Sequence, residues 1–254
     1  MKFARFKKTT DDTILYGIVT DRGIQQIDGS IFSDWKQTEI IHRAEDIDLL
    51  EPLLPRHVIG IGANYVGKTD DLPSELPEIP VFFYKPVSSV IGNGEPIVIP
   101  NKIDKVKFES ELAVVIGKQT KNITEQAVTD HIFGYTAAND VTAPQFFHEA
   151  GHWMIGKSFD TFTPLGPYIE TELDPDQVKV KAYLNGDKKQ DSATTLMIVS
   201  LRKMVAYLSG MMTLEPGDVI LTGSPLGAEM IKEGDEIVCE IAEIGELRNP
   251  VVQG

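Results

Sequence analysis

The sequence predicts a mainly β protein with some α-helix, divided into a small N-terminal α/β domain and a larger domain. The chain has 254 residues, enough for one large domain with a small companion. From residue 55 onward it consists mostly of short β-rich segments separated by glycine, proline and asparagine turn signals. Few segments show helical spacing of apolar residues. We place the small domain at residues 1–52 and the large domain at residues 53–254.

The N-terminal region contains strand and helix signals. "ILYGIVTD" from Ile14 and "IQQID" from Ile24 lie on either side of "DRG" and are typical of short strands. "AEDIDLLEPLLP" then carries leucines at partly helical spacing and ends at Pro55. This last segment is the expected helical part of the small domain.

The larger domain is predicted from its strands, with two helices among them. The strand segments, in order, are "HVIGIGANY", "VFFYK", "PIVIP", "ELAVVIG", "IFGYTAANDV", "KVKAYLNG", "DVILTG" and "DEIVCEIAEIG". One predicted helix is "TEQAVTDHI", capped by Thr124. The other is "SLRKMVAYLSGM", in which Leu201, Met204, Val205 and Leu208 form one apolar face.

Charge and composition exclude some classes of function. The formal net charge is −14, which argues against nucleic acid as a partner, because phosphate binding needs a basic face. An anionic substrate needs local lysines or a metal ion for the same reason. No stretch approaches the ~20 apolar residues of a membrane span. "MKFARFKK" lacks a following apolar run, so we expect no signal peptide.

The single cysteine, Cys239, shares a predicted strand face with Ile237 and Ile241 and is expected in the core. One cysteine permits no disulfide within the chain, which suits a reducing compartment. We therefore expect a cytoplasmic protein.

Two glutamates precede an apolar strand in "KFESELAVVIG". Glu109 and Glu111 are two residues apart, so in a strand their side chains point to the same face. Like charges on a half-buried face repel, and a divalent cation relieves the repulsion. Oxygen ligands favour Mg²⁺, Mn²⁺ or Ca²⁺ over zinc. The alternative is a solvent-facing strand, where paired glutamates are common. Asp140, at the end of "GYTAANDV", would complete a three-carboxylate site if its strand lies beside the first.

Two lysines and one turn are further candidates for a substrate site. Lys85 ends the segment "FFYK", and Lys157 lies in "GKSFDTFTPLGP". Each is by itself most simply a surface lysine, but near a metal site either would hold an anion or stabilise an enolate. "TGSP", from Thr222 through Gly223 and Ser224, offers backbone N–H groups to a carboxylate, or is an ordinary glycine–proline turn.

Two short motifs suggest other chemistry. "HEAGH", from His148 to His152, matches the H-E-x-x-H pattern of zinc peptidases, which requires a helix. Gly151 lies inside this segment. "GIGANY" begins like a dinucleotide-binding loop, but Tyr65 stands where a small residue is required. The zinc peptidase remains a remote alternative.

Seven segments together resemble the fumarylacetoacetate hydrolase family: "GIGANY", "FYKPVSSVIGNGEPIVIP", "FESELAVVIGK", "GYTAANDVTA", "GKSFDTFTPLGP", "LNGDKKQDSATTLMI" and "TLEPGDVILTGSPLG". The resemblance covers roughly residues 55–252, and residues 1–50 are similar to the small N-terminal domain of many members. It implies a mixed β-roll around a metal site, usually in a homodimer.

The resemblance also implies roles for particular residues. Glu109, Glu111 and Asp140 match the family's Mg²⁺ or Mn²⁺ ligands, and Lys157 matches a position that lines its substrate pocket. We expect Lys157 to be catalytic by adding positive charge at the oxygen of the developing enolate. The remaining matches belong to the substrate pocket: Lys85, Tyr65, Thr195, Thr222, Gly223 and Ser224.

The sequence departs from the family in two places. The usual histidine and glutamate after the "NY" motif are replaced by Lys68 and Asp71, which are predicted to act as acid–base and orienting group. Pro144 and Phe147 stand where members often carry arginine and glutamine.

These features predict a metal-dependent lyase or isomerase of a 2-oxo or 2-hydroxy-enoic diacid, such as 2-hydroxyhepta-2,4-diene-1,7-dioate or oxaloacetate. Members resembling the isomerase/decarboxylase of homoprotocatechuate degradation carry out this chemistry in the breakdown of aromatic compounds. The alternatives are a C–C hydrolase of the acylpyruvate or fumarylacetoacetate type and a metal-binding pseudoenzyme.

Overall fold

The computed structural model describes residues 1–149 and 152–254, and within them the chain is mainly β, as predicted. The strands are β1 (Lys2–Lys8), β2 (Ile14–Thr20), β3 (Gly23–Gly29), β4 (Trp35–His42), β5 (Ile47–Leu49), β6 (Val58–Ile61), β7 (Phe82–Lys85), β8 (Val90–Ile91), β9 (Ile97–Ile99), β10 (Val106–Lys107), β11 (Ser110–Ile116), β12 (Ile132–Asn139), β13 (Thr163–Glu170), β14 (Lys179–Leu184), β15 (Asp187–Ala193), β16 (Val219–Leu221), β17 (Met230–Ile231), β18 (Glu236–Ile241) and β19 (Gly245–Gln253).

The helices are short. The α-helices are α1 (Met154–Lys157) and α2 (Leu201–Met211). The 3-10 helices are Ala44–Asp46, Thr69–Asp71, Val87–Ser89, Glu125–His131, Pro144–Phe146 and Thr194–Leu196. In the described part of the chain, no helix has the length and apolar character needed to cross a membrane.

The largest sheet has twelve strands. Its main path runs β4-β3-β2-β1-β13-β12-β11-β16-β6-β7, with β5 beside β1 and β8 beside β13. Most neighbours are antiparallel, but β16 runs parallel to β6 and β13 parallel to β8. The central strand β11 is buried along its whole length, and this burial fixes the positions of both its ends.

A five-stranded sheet, in the order β15-β14-β18-β19-β9, packs against the larger one. Leu112 and Val114 of β11 share one core with Val180 of β14 and with Ile237 and Cys239 of β18. The predicted burial of the Cys239 thiol is confirmed, because its residue is fully buried within this core. Strands β10 and β17 form a separate two-stranded sheet.

The N-terminal segment is joined to the large sheet by the pairing of Phe3 in β1 with Ile169 in β13. Helical structure in this segment is limited to the 3-10 turn Ala44–Asp46, whereas Ile47–Leu49 pairs with β1 as a strand. Pro52 and Pro55 follow at once and prevent continuation as a helix.

The two predicted helices of the larger domain differ in outcome. Helix α2 forms as expected, with its predicted apolar face buried and the Ser200 hydroxyl accepting the Lys203 N–H. The "TEQAVTDHI" segment forms the 3-10 helix Glu125–His131. The predicted cap was wrong, since the Thr124 side chain makes no capping hydrogen bond.

Candidate active site

Strands β11 and β12 place the three predicted carboxylates together. The strands pair antiparallel, with Glu111 opposite Ala138, which confirms the predicted adjacency. Glu109 lies just before β11 and Asp140 just after β12. The Asp140 N–H donates to the Glu109 carbonyl oxygen at 2.8 Å. The carboxylates thus project from adjoining strand ends whose backbones are hydrogen-bonded to each other.

A cavity of about 340 Å³, here called the carboxylate cavity, lies over these strand ends. Its charged lining consists of Lys107, Glu109, Glu111, Asp140 and Lys157. Its apolar lining includes Ile61, Phe147, Trp153, Pro225 and Leu226. The cavity therefore offers a charged end to a polar head group and an apolar wall to the rest of a ligand.

Lys157, the last residue of α1, neutralises two of the carboxylates. Its ammonium group donates to Glu109 Oε2 at 2.5 Å and to Asp140 Oδ2. It also lies 4.8 Å from the centre of the Phe83 ring. Burial lowers the pKa of Lys157, but the charges of Asp140 and Glu109 outweigh burial, and the pKa is raised overall. Lys157 is consequently a fixed positive charge.

Glu109 is neutralised by two lysines, Lys107 and Lys157. Its Oε1 lies 2.6 Å from the Lys107 ammonium nitrogen, and its Oε2 accepts hydrogen bonds from Lys157 and from the Thr142 hydroxyl at 2.8 Å. Burial raises the pKa of Glu109, yet Lys157 and Lys107 lower it to about 2. Glu109 is therefore ionised at neutral pH.

Glu111 is held differently. It is 1% exposed, and its Oε2 accepts one hydrogen bond, from the Gly223 N–H at 2.6 Å. No ion pair to Glu111 occurs among residues 1–149 and 152–254. Burial first, and then the charge of Asp140, raises its pKa well above the usual value. Gly223 has φ +93°, and an added Cβ would lie 2.6 Å from the Asn64 Cβ, so this donor position requires glycine.

Lys85 lies beneath the carboxylates and does not line the cavity, contrary to its predicted contact with substrate. Its ammonium group donates to Asp140 Oδ1 at 2.6 Å and to the carbonyl oxygens of Lys157 at 2.7 Å and Val141 at 3.2 Å. An ammonium group has three donors, so all are used within the protein. Lys85 therefore holds the Asp140 carboxylate in place from beneath the cavity.

The "TGSP" turn is only partly as predicted. The Thr222 hydroxyl donates to the Leu112 carbonyl at 2.8 Å and points away from the cavity. The Gly223 N–H is used by Glu111. Ser224 does line the cavity, and its Oγ accepts from Gln190 Nε2 at 2.9 Å. Of the three predicted contacts in this turn, Ser224 is the one placed at the cavity.

Tyr65 and Thr195 are not in the lining either. Tyr65 is buried, and its hydroxyl has no hydrogen-bond partner among the described residues. Burial, followed by the charge of Glu111, raises the pKa of Tyr65. Thr195 is exposed on the 3-10 helix Thr194–Leu196.

The predicted acid–base pair lies at the surface. Lys68 Nζ is 3.8 Å from Asp71 Oδ1, and the two side chains are 67% and 53% exposed. Neither residue lines the carboxylate cavity. Lys68 thus pairs with Asp71 outside the cavity, and the acid–base and orienting roles of the two residues stay a prediction.

The two replacements near Asp140 create an aromatic wall. Pro144 starts the 3-10 helix Pro144–Phe146. The Phe147 ring stacks on Trp153 with centroids 5.3 Å apart and an 11° angle between planes. Trp153 in turn packs against Gly62, where an added Cβ would lie 1.7 Å from the ring. An apolar surface thus stands where relatives often carry polar side chains.

The "HEAGH" histidines face away from the carboxylates. His148 and His152 line a neighbouring aromatic cavity, with ring centroids 5.9 Å apart. Helix α1 begins only at Met154, and the Ala150 and Gly151 part of the motif lies outside the described residues. The helical presentation required of a zinc peptidase is not found over the described part of the motif.

The donor set of the carboxylate cavity suits a hard divalent cation. Within the described residues, no three His, Cys, Asp or Glu side chains are arranged to enclose a metal ion, and the Lys157 ammonium lies between Glu109 and Asp140. Two of the carboxylates nevertheless already bind a cationic group, and Glu111 has no ion-pair partner in the described part of the chain. Carboxylate oxygens are preferred ligands of Mg²⁺, Mn²⁺ and Ca²⁺. A metal ion would compete with Lys157 for these oxygens.

Lys107 and Gln190 are two polar site residues that the sequence analysis did not single out. Lys107 stands two residues before Glu109 in the same segment, so strand alternation could have placed it on the same face. Gln190 Nε2 holds the Pro225 carbonyl oxygen at 2.6 Å and Ser224 at 2.9 Å, and its Oε1 accepts the Ser110 N–H at 3.0 Å. No local sequence pattern predicts a side chain whose hydrogen-bond partners lie so far away along the chain.

Comparison with known sequences identifies two family matches. Residues 57–252 match the family model described as fumarylacetoacetate (FAA) hydrolase C-terminal. Residues 1–52 match the model described as Rv2993c-like, N-terminal. An uncharacterised Archaeoglobus fulgidus protein is 42% identical over 82% of this chain and 83% of its own. A mitochondrial oxaloacetate tautomerase of Xenopus laevis is 41% identical over 82% of this chain and 69% of its own.

Solved structures similar to this chain include enzymes. A 5-carboxymethyl-2-hydroxymuconate delta-isomerase from Mycobacterium smegmatis has 37% identity, covers all of both chains and gives a TM-score of 0.93. A 2-hydroxyhepta-2,4-diene-1,7-dioate isomerase from Mycobacterium marinum has 35% identity, with 100% and 98% coverage and a TM-score of 0.89. A maleylpyruvate hydrolase from Sphingobium, in complex with manganese and pyruvate, has 27% identity, full coverage and a TM-score of 0.82. The chain belongs to the fumarylacetoacetate hydrolase family.

Proposed function

We propose that this protein is a divalent-metal-dependent lyase or isomerase of a 2-oxo or 2-hydroxy-enoic diacid, such as 2-hydroxyhepta-2,4-diene-1,7-dioate or oxaloacetate. The observation that carries the proposal is the meeting of Glu109, Glu111, Asp140 and Lys157 at one end of a single cavity. Bound Mg²⁺ or Mn²⁺, with Ca²⁺ as a weaker candidate, would supply Lewis acidity at the carboxylate and 2-oxo oxygens.

Lys157 provides the clearest chemical role. Its raised pKa keeps it protonated, so it donates hydrogen bonds and positive charge and does not act as a base. A fixed cation aimed at the oxygen where negative charge develops stabilises an enolate more than the ketone from which it forms. Both decarboxylation and keto–enol isomerisation pass through such an enolate.

Lys68 remains our proposed proton-transfer group, oriented by Asp71. Because Lys68 does not line the cavity, this role requires the segment 66–71 to fold toward the carboxylates when substrate binds. Supporting this, the 3-10 helix Thr69–Asp71 is exposed, and Gly67 faces Leu226 at the cavity rim. Proton transfer by a positioned side chain contributes about 10²–10⁴-fold to a rate.

A C–C hydrolase is the second candidate. It is favoured by the similarity to the maleylpyruvate hydrolase that binds manganese and pyruvate. The oxaloacetate tautomerase and the two isomerases support the first candidate. We rank isomerase or lyase first because Lys68 and Asp71 stand in place of the histidine–glutamate pair.

We further propose a cytoplasmic homodimer acting on a small molecule. Tyr84, Phe146, Met154 and Ile155 are exposed and lie around one apolar cavity, a feature suited to self-association. Light scattering of the purified protein measures the assembly directly.

The decisive experiment is a screen of 2-oxo diacids with Mn²⁺ present and absent. Loss of enol absorbance with neither CO₂ nor cleavage products identifies an isomerase, CO₂ release identifies a decarboxylase, and cleavage into two carboxylic acids identifies a hydrolase. Oxalate binding without turnover of any 2-oxo acid would instead indicate a pseudoenzyme.

A further inference from the structure

Lys107 is the cavity cation whose ammonium group remains accessible. Lys107 and Lys157 are the lysines that line the carboxylate cavity in the described structure. The Lys157 side chain is 4% exposed and bound by two carboxylates, whereas that of Lys107 is 27% exposed. Within residues 1–149 and 152–254, the Lys107 ammonium pairs with Glu109 Oε1 alone. An ammonium group has three donors, so Lys107 can bind a second anion without giving up Glu109.

The backbone of Lys107 is fixed on both sides. Its N–H donates to the Thr142 carbonyl at 2.8 Å, and its carbonyl accepts the Thr142 N–H at 3.0 Å. On the other edge, β10 pairs with β17, with Lys107 opposite Met230. The two-residue strand that carries Lys107 is therefore anchored. It lies between the loop that follows Asp140 and the segment 224–228, which forms part of the cavity wall.

Lys107 and Lys157 bind opposite oxygens of the same carboxylate. Lys157 takes Glu109 Oε2 and Lys107 takes Oε1, so the two ammonium groups flank Glu109. Lys107 therefore lies in the same cavity wall as Lys157 and the carboxylates, beside the place where a ligand bound to them by its head group would continue. Because the protein carries a net charge of −14, a second carboxylate on the ligand needs a local cation to bind.

We propose that Lys107 is the specificity-determining residue that binds the second carboxylate of a dicarboxylate substrate. This inference rests on the proposed function, since it assumes a 2-oxo acid head at the carboxylate end of the cavity. Charge-assisted hydrogen bonds between ammonium and carboxylate are among the stronger polar contacts in proteins. Lys107 would thus select diacids over monoacids with the same head.

The test compares two ligands of equal chain length, 2-oxoglutarate and 2-oxopentanoate. Calorimetry with Mn²⁺-loaded protein gives the affinity of each ligand for the wild type, K107Q and K107R. In K107Q we expect 2-oxoglutarate to bind at least tenfold more weakly, while 2-oxopentanoate changes less than twofold. K107R should retain the preference for the diacid. K105Q removes a charge from an exposed lysine outside the cavity and should behave as the wild type.

The ratio of the two affinities separates the possible roles of Lys107. If Lys107 acts only by tuning the charge of Glu109, its replacement weakens the binding of both ligands equally, because both share the head group. That result would overturn the inference. A wild type without preference for the diacid, or an unchanged preference in K107Q, would also overturn it. If the wild type binds neither ligand, the proposed function and the inference fail together.

Discussion

Glu111 is tied to Gly223 by one hydrogen bond, from the backbone N–H to Oε2 at 2.6 Å, and lacks an ion pair among the described residues. Glu109, two residues away, has two lysines on its carboxylate. The two carboxylates at this strand end therefore differ in how far positive groups neutralise them. Glu111 is the carboxylate whose ionised form a metal ion would favour most, because burial and Asp140 raise its pKa well above the usual value.

Replacing Glu111 with glutamine should stabilise the metal-free protein and abolish metal binding. A buried charge without a partner costs free energy, and a neutral side chain of the same shape removes that cost. A gain of about 1 kcal/mol corresponds to roughly 2–4 °C in a chain of this size. Thermal unfolding with and without Mn²⁺ measures both effects. The exposed Glu233→Gln variant is the control, and an E111Q protein that Mn²⁺ still stabilises would refute the ligand assignment.

Replacing Lys157 with methionine should tighten Mn²⁺ binding while abolishing turnover. Two unit charges ~4 Å apart interact by about 4 kcal/mol near a protein surface, so removal of the ammonium favours a competing cation by at least about tenfold. Titration of free Mn²⁺ by electron paramagnetic resonance measures the affinity. Lys157→Arg retains the charge and should resemble the wild type in Mn²⁺ affinity. Weaker binding in K157M would show that Lys157 assists the metal site.

Replacing Gln190 with leucine should destabilise the fold and the cavity wall together. The Ser110 N–H and the Pro225 carbonyl would lose their partner, at a cost of about 1–3 kcal/mol for each buried group. Urea unfolding measures the loss, and a raised KM would report the displaced Ser224–Pro225 turn. Gln177, whose side chain bonds Asp174 at the surface, supplies the matched Gln→Leu control. Equal stability of the two variants would contradict the prediction.

Replacing Lys68 with methionine should lower kcat by about 10²–10⁴-fold without changing Mn²⁺ affinity, if proton transfer passes through this side chain. Lys118→Met, at another exposed lysine, should leave kcat unchanged. Steady-state kinetics and metal titration separate the two properties. Wild-type turnover in K68M would remove Lys68 from the mechanism.

The Cys239 thiol should not react with thiol reagents in the native protein at pH 8. Burial raises its pKa to about 12, so little thiolate forms, and the side chain has no access to solvent. A chromogenic disulfide reagent should detect one thiol per chain only after unfolding in guanidinium chloride. Rapid reaction of the folded protein would contradict the observed burial.

The sequence predicted the strands of the carboxylate site well because their signals are local. Apolar runs bounded by turns identify β11 and β12, and two-residue alternation places Glu109 and Glu111 on one face. The fate of Lys85 could not be predicted in this way. Its three acceptors lie 55, 56 and 72 residues further along the chain, so its direction depends on tertiary packing.

The same limit explains the errors at Thr222 and in the N-terminal segment. The "TGSP" pattern marks a turn but does not tell which side chains face the cavity, and the Thr222 hydroxyl is taken by Leu112, which lies 110 residues earlier. In residues 44–55, leucine spacing favoured a helix, whereas pairing with β1 selected a strand.

The core shared by the two parts of the chain links distant residues to the carboxylates. Phe3 packs in one cluster with Ala113 and Ala138, which lie two residues from Glu111 and Asp140 on the same strand faces. The N-terminal segment therefore packs beneath the two strands that lead to Glu111 and Asp140. Exchanging residues 1–52 for those of a relative would therefore change the packing beneath both strands, although none of these residues lines the carboxylate cavity.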